Sequence, residues 1–268
     1  MKKHFDLNRF GKLFRKELTE RIPLILKNCM AVALAYIGFV LLGVLLSSSP
    51  AMSMMSRSSF IMTVSFIVAF LAPFALYKSF NHRKMGIDYI TLPASVNEKF
   101  LSMILISLVI FPFVIFSTLI VTDTLVAIVR PSLFEYFIFS KESPMTFSIS
   151  SLADLSVLPL FAFAGNLMFR ESKIIKTILS TALIFVIFIA IISILFLYVY
   201  DSQLEQIRTT TNSVSIQISS LQEMSKMNMF DTYPGLKSVI TLLSMVYNIA
   251  FPVGALATAY HKMKTIQY

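Results

Sequence analysis

The sequence predicts an all-α, polytopic membrane protein with six transmembrane helices. Hydrophobic residues make up 56% of the chain and charged residues only 14%, and the mean hydropathy is +0.77. A soluble domain usually carries about 25% charged residues. Six apolar segments are each long enough to cross a bilayer, which takes about 20 residues, and they lie at 22–47, 58–80, 100–123, 148–169, 175–200 and 236–260. Little chain remains for a soluble core, so residues 1–268 are predicted to form a single transmembrane domain.

The distribution of lysine and arginine predicts the orientation of these helices. Of the 23 basic residues, 17 fall in the N-terminal segment, the 78–99 loop, the 170–176 loop and the C-terminal tail, which share one side of a six-helix topology. Because basic loops stay in the cytoplasm, both termini are expected there. The basic residues are divided among positions next to the membrane, which favours contact with the lipid bilayer and argues against nucleic acid binding.

Residues 1–21 are predicted to form an amphipathic elbow helix lying on the membrane surface. Apolar side chains recur there at helical spacing, with basic side chains mostly between them. The elbow residues singled out are Arg9, Phe10, Leu13 and Phe14. Pro23 is expected to open the first span after a sharp turn, since proline is tolerated in a first helical turn and would otherwise end the preceding helix.

The polar loop at 78–99 is the most informative part of the chain. A short helix-compatible stretch, MGIDYITL, ends at Pro93. Ser95 then stands as a helix N-cap with Glu98 three residues later, which is the spacing of a capping box and predicts the start of the third span. A capped helix start with a polar loop accounts for Ser95 and Glu98 without any partner protein. Any further role for this loop therefore has to be argued from the organisation of the whole chain.

A resemblance to a known family rests on that organisation and on six positions in and after this loop, Gly86, Asp88, Leu92, Pro93, Ser95 and Lys99. The chain resembles the integral membrane subunits of ABC-2-type exporters, in which a Gly-Thr-Leu-Glu-like start leads into Leu-Pro-x-Ser and a lysine opens the third helix. The resemblance extends over nearly the whole chain. It includes the elbow, the shared side of the termini and a longer external segment before the last span. One departure is Asp-Tyr-Ile-Thr-Leu, where better-known exporters more often have Glu-Leu-Leu-Leu-Ser.

The resemblance implies a permease subunit with a cytoplasmic coupling helix between helices 2 and 3, driven by a separately encoded ATPase. The ATPase docks on the 82–99 loop and binds ATP and magnesium, so this chain is expected to be neither an enzyme nor a cofactor-binding protein. A homodimer or pairing with a similar permease is implied, with export as the activity. The docking residues carried over are Gly86, Asp88, Tyr89, Leu92, Pro93, Ala94, Ser95, Glu98 and Lys99.

Polar residues inside the predicted spans are candidates for function or for helix packing. Asp154, Asn166 and Asn248 fall within spans, and Asp123 is placed at the external end of the third span, where an interfacial position is the simpler interpretation. The asparagines are expected to face other helices, since hydrogen bonds between membrane helices stabilise packing. Catalytic motifs such as GxxxxGK[ST], HExxH and GxSxG are missing from the sequence, which argues against an intramembrane enzyme.

Two other functions remain open at this stage. The external segment 201–235 has apolar residues in steps of three and four between 204 and 221, which permits a non-transporting scaffold that holds an external partner through residues 200–233. A secondary transporter is weakened by the lack of a charge at the membrane centre and of a repeat between the two halves. A metal site at Met52, Met54 and Met55 is less favoured than a flexible loop, because no His or Cys lies nearby.

Overall fold

The computed structural model describes residues 5–46, 51–80, 92–137, 149–199 and 234–266. These residues are almost entirely helical. We number the helices α1 (Leu7–Leu46), α2 (Met54–Leu76), α3 (Val96–Val129), α4 (Ile149–Met168), α5 (Lys173–Val199) and α6, which runs through the segments Pro234–Met245, Val246–Ala250 and Phe251–Ile266. A short 3-10 turn, Pro131–Leu133, follows α3. The expected coupling helix before Pro93 and the external segment 200–233 lie outside the described residues.

Five of the helices are long and apolar enough to cross a membrane, namely α1, α2, α3, α5 and α6. This confirms an all-α, multi-pass membrane protein. The fourth predicted span coincides with the 20-residue helix α4, whose described apolar part, Val157–Met168, is shorter than the other five spans. The count of six spans therefore stays a prediction.

The predicted break between the elbow and the first span is wrong, because α1 is one helix of 40 residues with Pro23 inside it. Proline removes a single backbone donor, the one that would pair with the carbonyl of Thr19. Membrane helices tolerate that loss. Tertiary contacts on both sides of the proline hold the two parts in one helix, since Leu13 and Glu17 are buried before it and Ile25 after it.

Two other prolines are accommodated by a local widening of the helix. In α3 the π-helical segment Leu105–Ile110 ends directly before Phe111-Pro112, and in α6 the segment Val246–Ala250 ends directly before Phe251-Pro252. A proline ring clashes with the carbonyl four residues earlier, and a π turn moves that carbonyl to a partner five residues away. Just before Pro112, the Phe111 amide donates to the Ile106 carbonyl five residues earlier, which is a π-type bond. The helix axis thus continues past each proline.

The helices pack as neighbours in two connected groups. Helix α3 packs against α1 and α2, while α4 packs against α2, α5 and α6. The core includes Tyr36, Ile61, Ile115, Phe163 and Leu167, all fully buried. By contrast, only 6% of the residues in the most apolar stretch of α5 are buried, so this helix presents most of its side chains outward.

Candidate functional site

The end of the 78–99 loop is a capped helix start. The Ser95 hydroxyl accepts a hydrogen bond from the Glu98 amide at 3.3 Å, and the Glu98 Oε2 accepts one from the Ser95 amide at 2.9 Å. This reciprocal pair is the capping box that the sequence predicts, so that prediction is confirmed. Just before it, the Ala94 amide donates to the Leu92 carbonyl at 2.7 Å. The chain from Leu92 to Glu98 is therefore a fixed turn.

Glu98 also joins this turn to the start of α1. Arg9 binds the carboxylate with two nitrogens, Nε to Oε2 at 2.8 Å and Nη2 to Oε1 at 2.6 Å. The Asp6 amide adds a bond to Oε1 at 2.9 Å. With the Ser95 amide, four N–H groups surround a carboxylate that has no solvent exposure. A bidentate, charge-assisted pair of this kind fixes orientation as well as distance.

Burial separates the predicted docking residues into two groups. Ala94, Ser95, Glu98 and Lys99 are buried in this chain. Pro93 is exposed and Leu92 is half-buried. The remaining three, Gly86, Asp88 and Tyr89, lie outside the described residues. Within the described part of the loop, a docking partner would therefore contact the Leu92-Pro93 corner, and the buried residues would hold that corner in place.

The other elbow residues hold the start of α1 against the protein. Leu13 is buried and Phe14 packs against the main core. Phe10 lies between the rings of Phe5 and Phe14, with centroid distances of 5.7 and 5.9 Å. The polar segment of α1 is thus attached to the bundle through both an ion pair and an apolar face.

A second polar cluster lies one turn beyond Leu13, and the sequence did not indicate it. Glu17 is 2% exposed, and its Oε2 accepts hydrogen bonds from the hydroxyls of Tyr77 and Ser102, both at 2.9 Å. The Arg21 guanidinium lies over the Tyr77 ring at 4.1 Å and donates to the Glu17 carbonyl. This cluster joins α1 to the ends of α2 and α3. The only signal in the sequence is that Leu13, Glu17 and Arg21 follow one stripe of α1 in steps of four.

A buried ion pair lies toward the other end of the bundle. Arg57 in α2 binds Asp123 in α3 through Nε to Oδ1 at 2.9 Å and Nη2 to Oδ2 at 3.0 Å, and the two side chains are 0% and 1% exposed. Tyr36 in α1 donates its hydroxyl to the same carboxylate. Asp123 lies near the end of α3, where the sequence placed it, and it is the fully buried centre of a three-helix junction.

The chain segments that precede α2 and follow α3 contact each other and cover this ion pair. The Met52 amide donates to the Leu133 carbonyl at 2.8 Å, and Met52 forms a single parallel bridge with Phe134. Arg57 donates to the Tyr136 carbonyl at 2.9 Å, and its guanidinium lies 4.2 Å from the centre of the Phe134 ring. The chain segments after α1 and after α3 thus pack together over the pair between Arg57 and Asp123.

The intramembrane polar residues have different surroundings. Asn166 is buried and donates to the carbonyls of Pro73 and Tyr77 at 2.9 and 3.3 Å, which confirms that it faces another helix. Those carbonyls belong to the end of α2, and each also accepts a backbone bond, from the Tyr77 amide at 3.1 Å and from the Phe80 amide at 3.2 Å. In α6, Asn248 lies in the π-helical segment, and among described residues its buried Oδ1 has no hydrogen-bond partner. Asp154 belongs to α4, and its side chain lies outside the described part.

In comparisons with known proteins, no family model, curated protein or solved structure matches the chain. Among the described residues, no group of three His, Cys, Asp or Glu side chains is placed to hold a metal ion. The polar side chains described above connect helices to one another. They join the Leu92-Pro93 corner to α1 and α3 at one end of the bundle, and they join α1, α2 and α3 at the other.

Proposed function

We propose that this chain is the membrane-spanning permease subunit of an ABC-2-type exporter in a bacterial inner membrane, driven by a separately encoded ATPase that docks on the 82–99 loop. The observation that carries the proposal is the joint at Glu98, where four N–H groups from the loop and from α1 hold one buried carboxylate. The joint fixes the loop relative to both α1 and α3, which is what a surface that passes movement from a partner to these helices requires.

The proposed docking surface is small and rigid in its described part. Pro93 is exposed and Leu92 is half-buried, while Ala94 and Ser95 behind them are buried. Proline has a fixed φ, so this corner loses little conformational freedom when a partner binds it. The partner itself would bind ATP and magnesium, and this chain would supply the contact and the movement.

The joint offers a route by which movement of the ATPase reaches the membrane. Force applied to the Leu92-Pro93 corner acts on the first turn of α3 through the capping box, and it acts on α1 through the pair between Arg9 and Glu98. Packed helices shift as rigid bodies when a docked element moves. Two permease chains that shifted together would open and close a path between them.

The experiment is affinity purification of the chain from its native membrane in mild detergent, followed by mass spectrometry of the proteins that come with it. We expect a nucleotide-binding ATPase to be recovered with the wild type. The variant Leu92→Asp places a charge at the half-buried corner, and Pro93→Asp places one at its exposed tip. Both should lower the recovery of the ATPase while the chain itself stays folded and inserted.

Lys12→Asp serves as the matched control, because Lys12 is exposed on the basic segment of α1 and the change also introduces an aspartate. Its ATPase recovery should equal that of the wild type. If the correctly inserted wild type brings no ATPase in any nucleotide state, the exporter proposal is wrong. A scaffold that acts through residues 200–233 then becomes the function to test.

A further inference from the structure

A groove of about 330 Å³ runs between α4, α5 and α6. Its walls include Phe161 and Met168 from α4, Ile184 from α5, and Phe251, Gly254 and Thr258 from α6. The rings of Phe161 and Phe251 meet edge to face at 6.0 Å. This volume lies at the lower end of the range of about 300–1,000 Å³ for small-molecule sites, which are mostly apolar with a few polar groups.

The groove exists because small residues leave its α6 wall open. A Cβ atom added at Gly254 would meet no atom within 4 Å, and the neighbouring wall residues Ala250 and Ala255 are also small. Helix interfaces are normally close-packed, and a gap forfeits dispersion contacts on both sides. Met168 in its wall is 44% exposed. In a membrane the molecules that surround such a gap are lipid acyl chains, and one chain inserted there restores the missing contacts.

Basic residues lie at one end of the groove. Lys176 precedes the groove residue Ser180 by four positions in α5, and Lys262 follows the groove residue Thr258 by four positions in α6. Residues four apart share a helix face, so each lysine continues a groove-facing stripe one turn nearer the end where α4 stops and α5 begins. One turn is about 5.4 Å along a helix.

Three other charged residues near this end of the groove have neighbours that offset their charge or hold their side chains elsewhere. Arg170 and Glu171 are exposed neighbours in the connection between α4 and α5, so their charges largely offset each other. Lys173 donates to the Asn166 side chain and to the Lys78 carbonyl, at 3.2 and 3.0 Å. In the described part of the chain this end also holds His261 and Lys264 in α6. Lys176 and Lys262 are the lysines that lie four positions from a groove residue within the same helix.

We infer that this groove holds one acyl chain of an anionic phospholipid, whose phosphate group is bound by Lys176 and Lys262. Basic pockets between membrane helices recognise anionic head groups, whereas a zwitterionic head group offers no net charge to two lysines. The bound lipid would fill the gap between α4, α5 and α6. This inference is independent of the proposed export function, since it needs neither an ATPase nor a transported substrate.

The test is native mass spectrometry of the detergent-purified chain titrated with phosphatidylglycerol or with phosphatidylcholine. A lysine near the membrane surface attracts an anionic lipid about fivefold, so the two lysines predict a preference of about 25-fold for phosphatidylglycerol. The double variant Lys176→Gln/Lys262→Gln should lose that preference. The matched control Lys12→Gln/Lys16→Gln removes two exposed lysines from α1 and should keep it.

A second variant tests the groove itself. Gly254→Leu places a side chain in the open space and should abolish retention of both lipids. Gly38→Leu is its control, because Gly38 in α1 also has no atom within 4 Å of an added Cβ and lies outside the groove. Equal affinity of the wild type for the two lipids would overturn the inference, as would unchanged retention in Gly254→Leu. A second copy of the chain released by Gly254→Leu, in place of a lipid, would also overturn it.

Discussion

Removing Asp123 should be among the most destabilising single changes in the described part of the chain. The carboxylate accepts two bonds from Arg57, at 2.9 and 3.0 Å, and a third from Tyr36. Among the described residues, Asp123→Leu would leave a fully buried guanidinium with the Tyr136 carbonyl, the Phe134 ring and the Tyr36 hydroxyl as neighbours and with no opposite charge. Breaking a buried pair in this way costs about 3–5 kcal/mol of unfolding free energy, because one charge loses its partner away from water.

The assay is equilibrium unfolding in mixed detergent micelles, with the free energy of unfolding measured for each variant. The double variant Arg57→Met/Asp123→Leu removes both charges, so it should be less destabilised than Asp123→Leu alone. Glu20→Gln is the control. It breaks an exposed pair with Lys16 at 3.8 Å and should change the free energy little. A change within about 1 kcal/mol for Asp123→Leu, or simple additivity of the two substitutions, would refute the reasoning.

Changes at four further positions test local parts of the fold by the same assay. Ser95→Ala removes the N-cap of α3 and should cost about 1 kcal/mol, whereas Ser95→Asp keeps a capping oxygen and should cost less; equal losses would argue against the cap. Gly165→Ala should destabilise by about 1–3 kcal/mol, because the added Cβ would overlap the Thr177 side chain. Gly254→Ala, which meets open space, should be neutral or stabilising, and a similar loss at both glycines would contradict the packing described. Asn166→Leu removes the side-chain donor of two carbonyls that keep their backbone bonds, so it should cost about 0.5–1.5 kcal/mol; an unchanged stability would show that the Asn166 bonds contribute nothing.

The features that the sequence predicted correctly are local ones. The apolar segments are visible because a membrane span needs a long run of hydrophobic residues, and the described helices fall where those runs lie. The capping box at Ser95 and Glu98 depends on residues three apart, so its spacing could be read directly. Asn166 was expected to face another helix because an amide inside a span needs a hydrogen-bond partner.

The features that the sequence did not predict depend on residues far apart in the chain. Arg57 and Asp123 are separated by 66 positions, and Arg9 and Glu98 by 89, so no periodic pattern connects them. The interpretation of Asp123 at the external end of the third span considered that charge alone, without Arg57 as its partner. The break predicted at Pro23 failed for a similar reason, because buried contacts on both sides of the proline hold α1 as one helix.

The central claim is that an ATPase docks at the corner before α3, and site-specific photo-crosslinking in native membranes tests it most directly. A photoreactive amino acid would replace Pro93, which is exposed at that corner, and separately Glu20, which is exposed on α1. We predict that position 93 forms an adduct with a nucleotide-binding ATPase and that position 20 forms much less of it. An inserted and stable chain that yields no ATPase adduct from position 93, in the presence or absence of ATP, would contradict the claim.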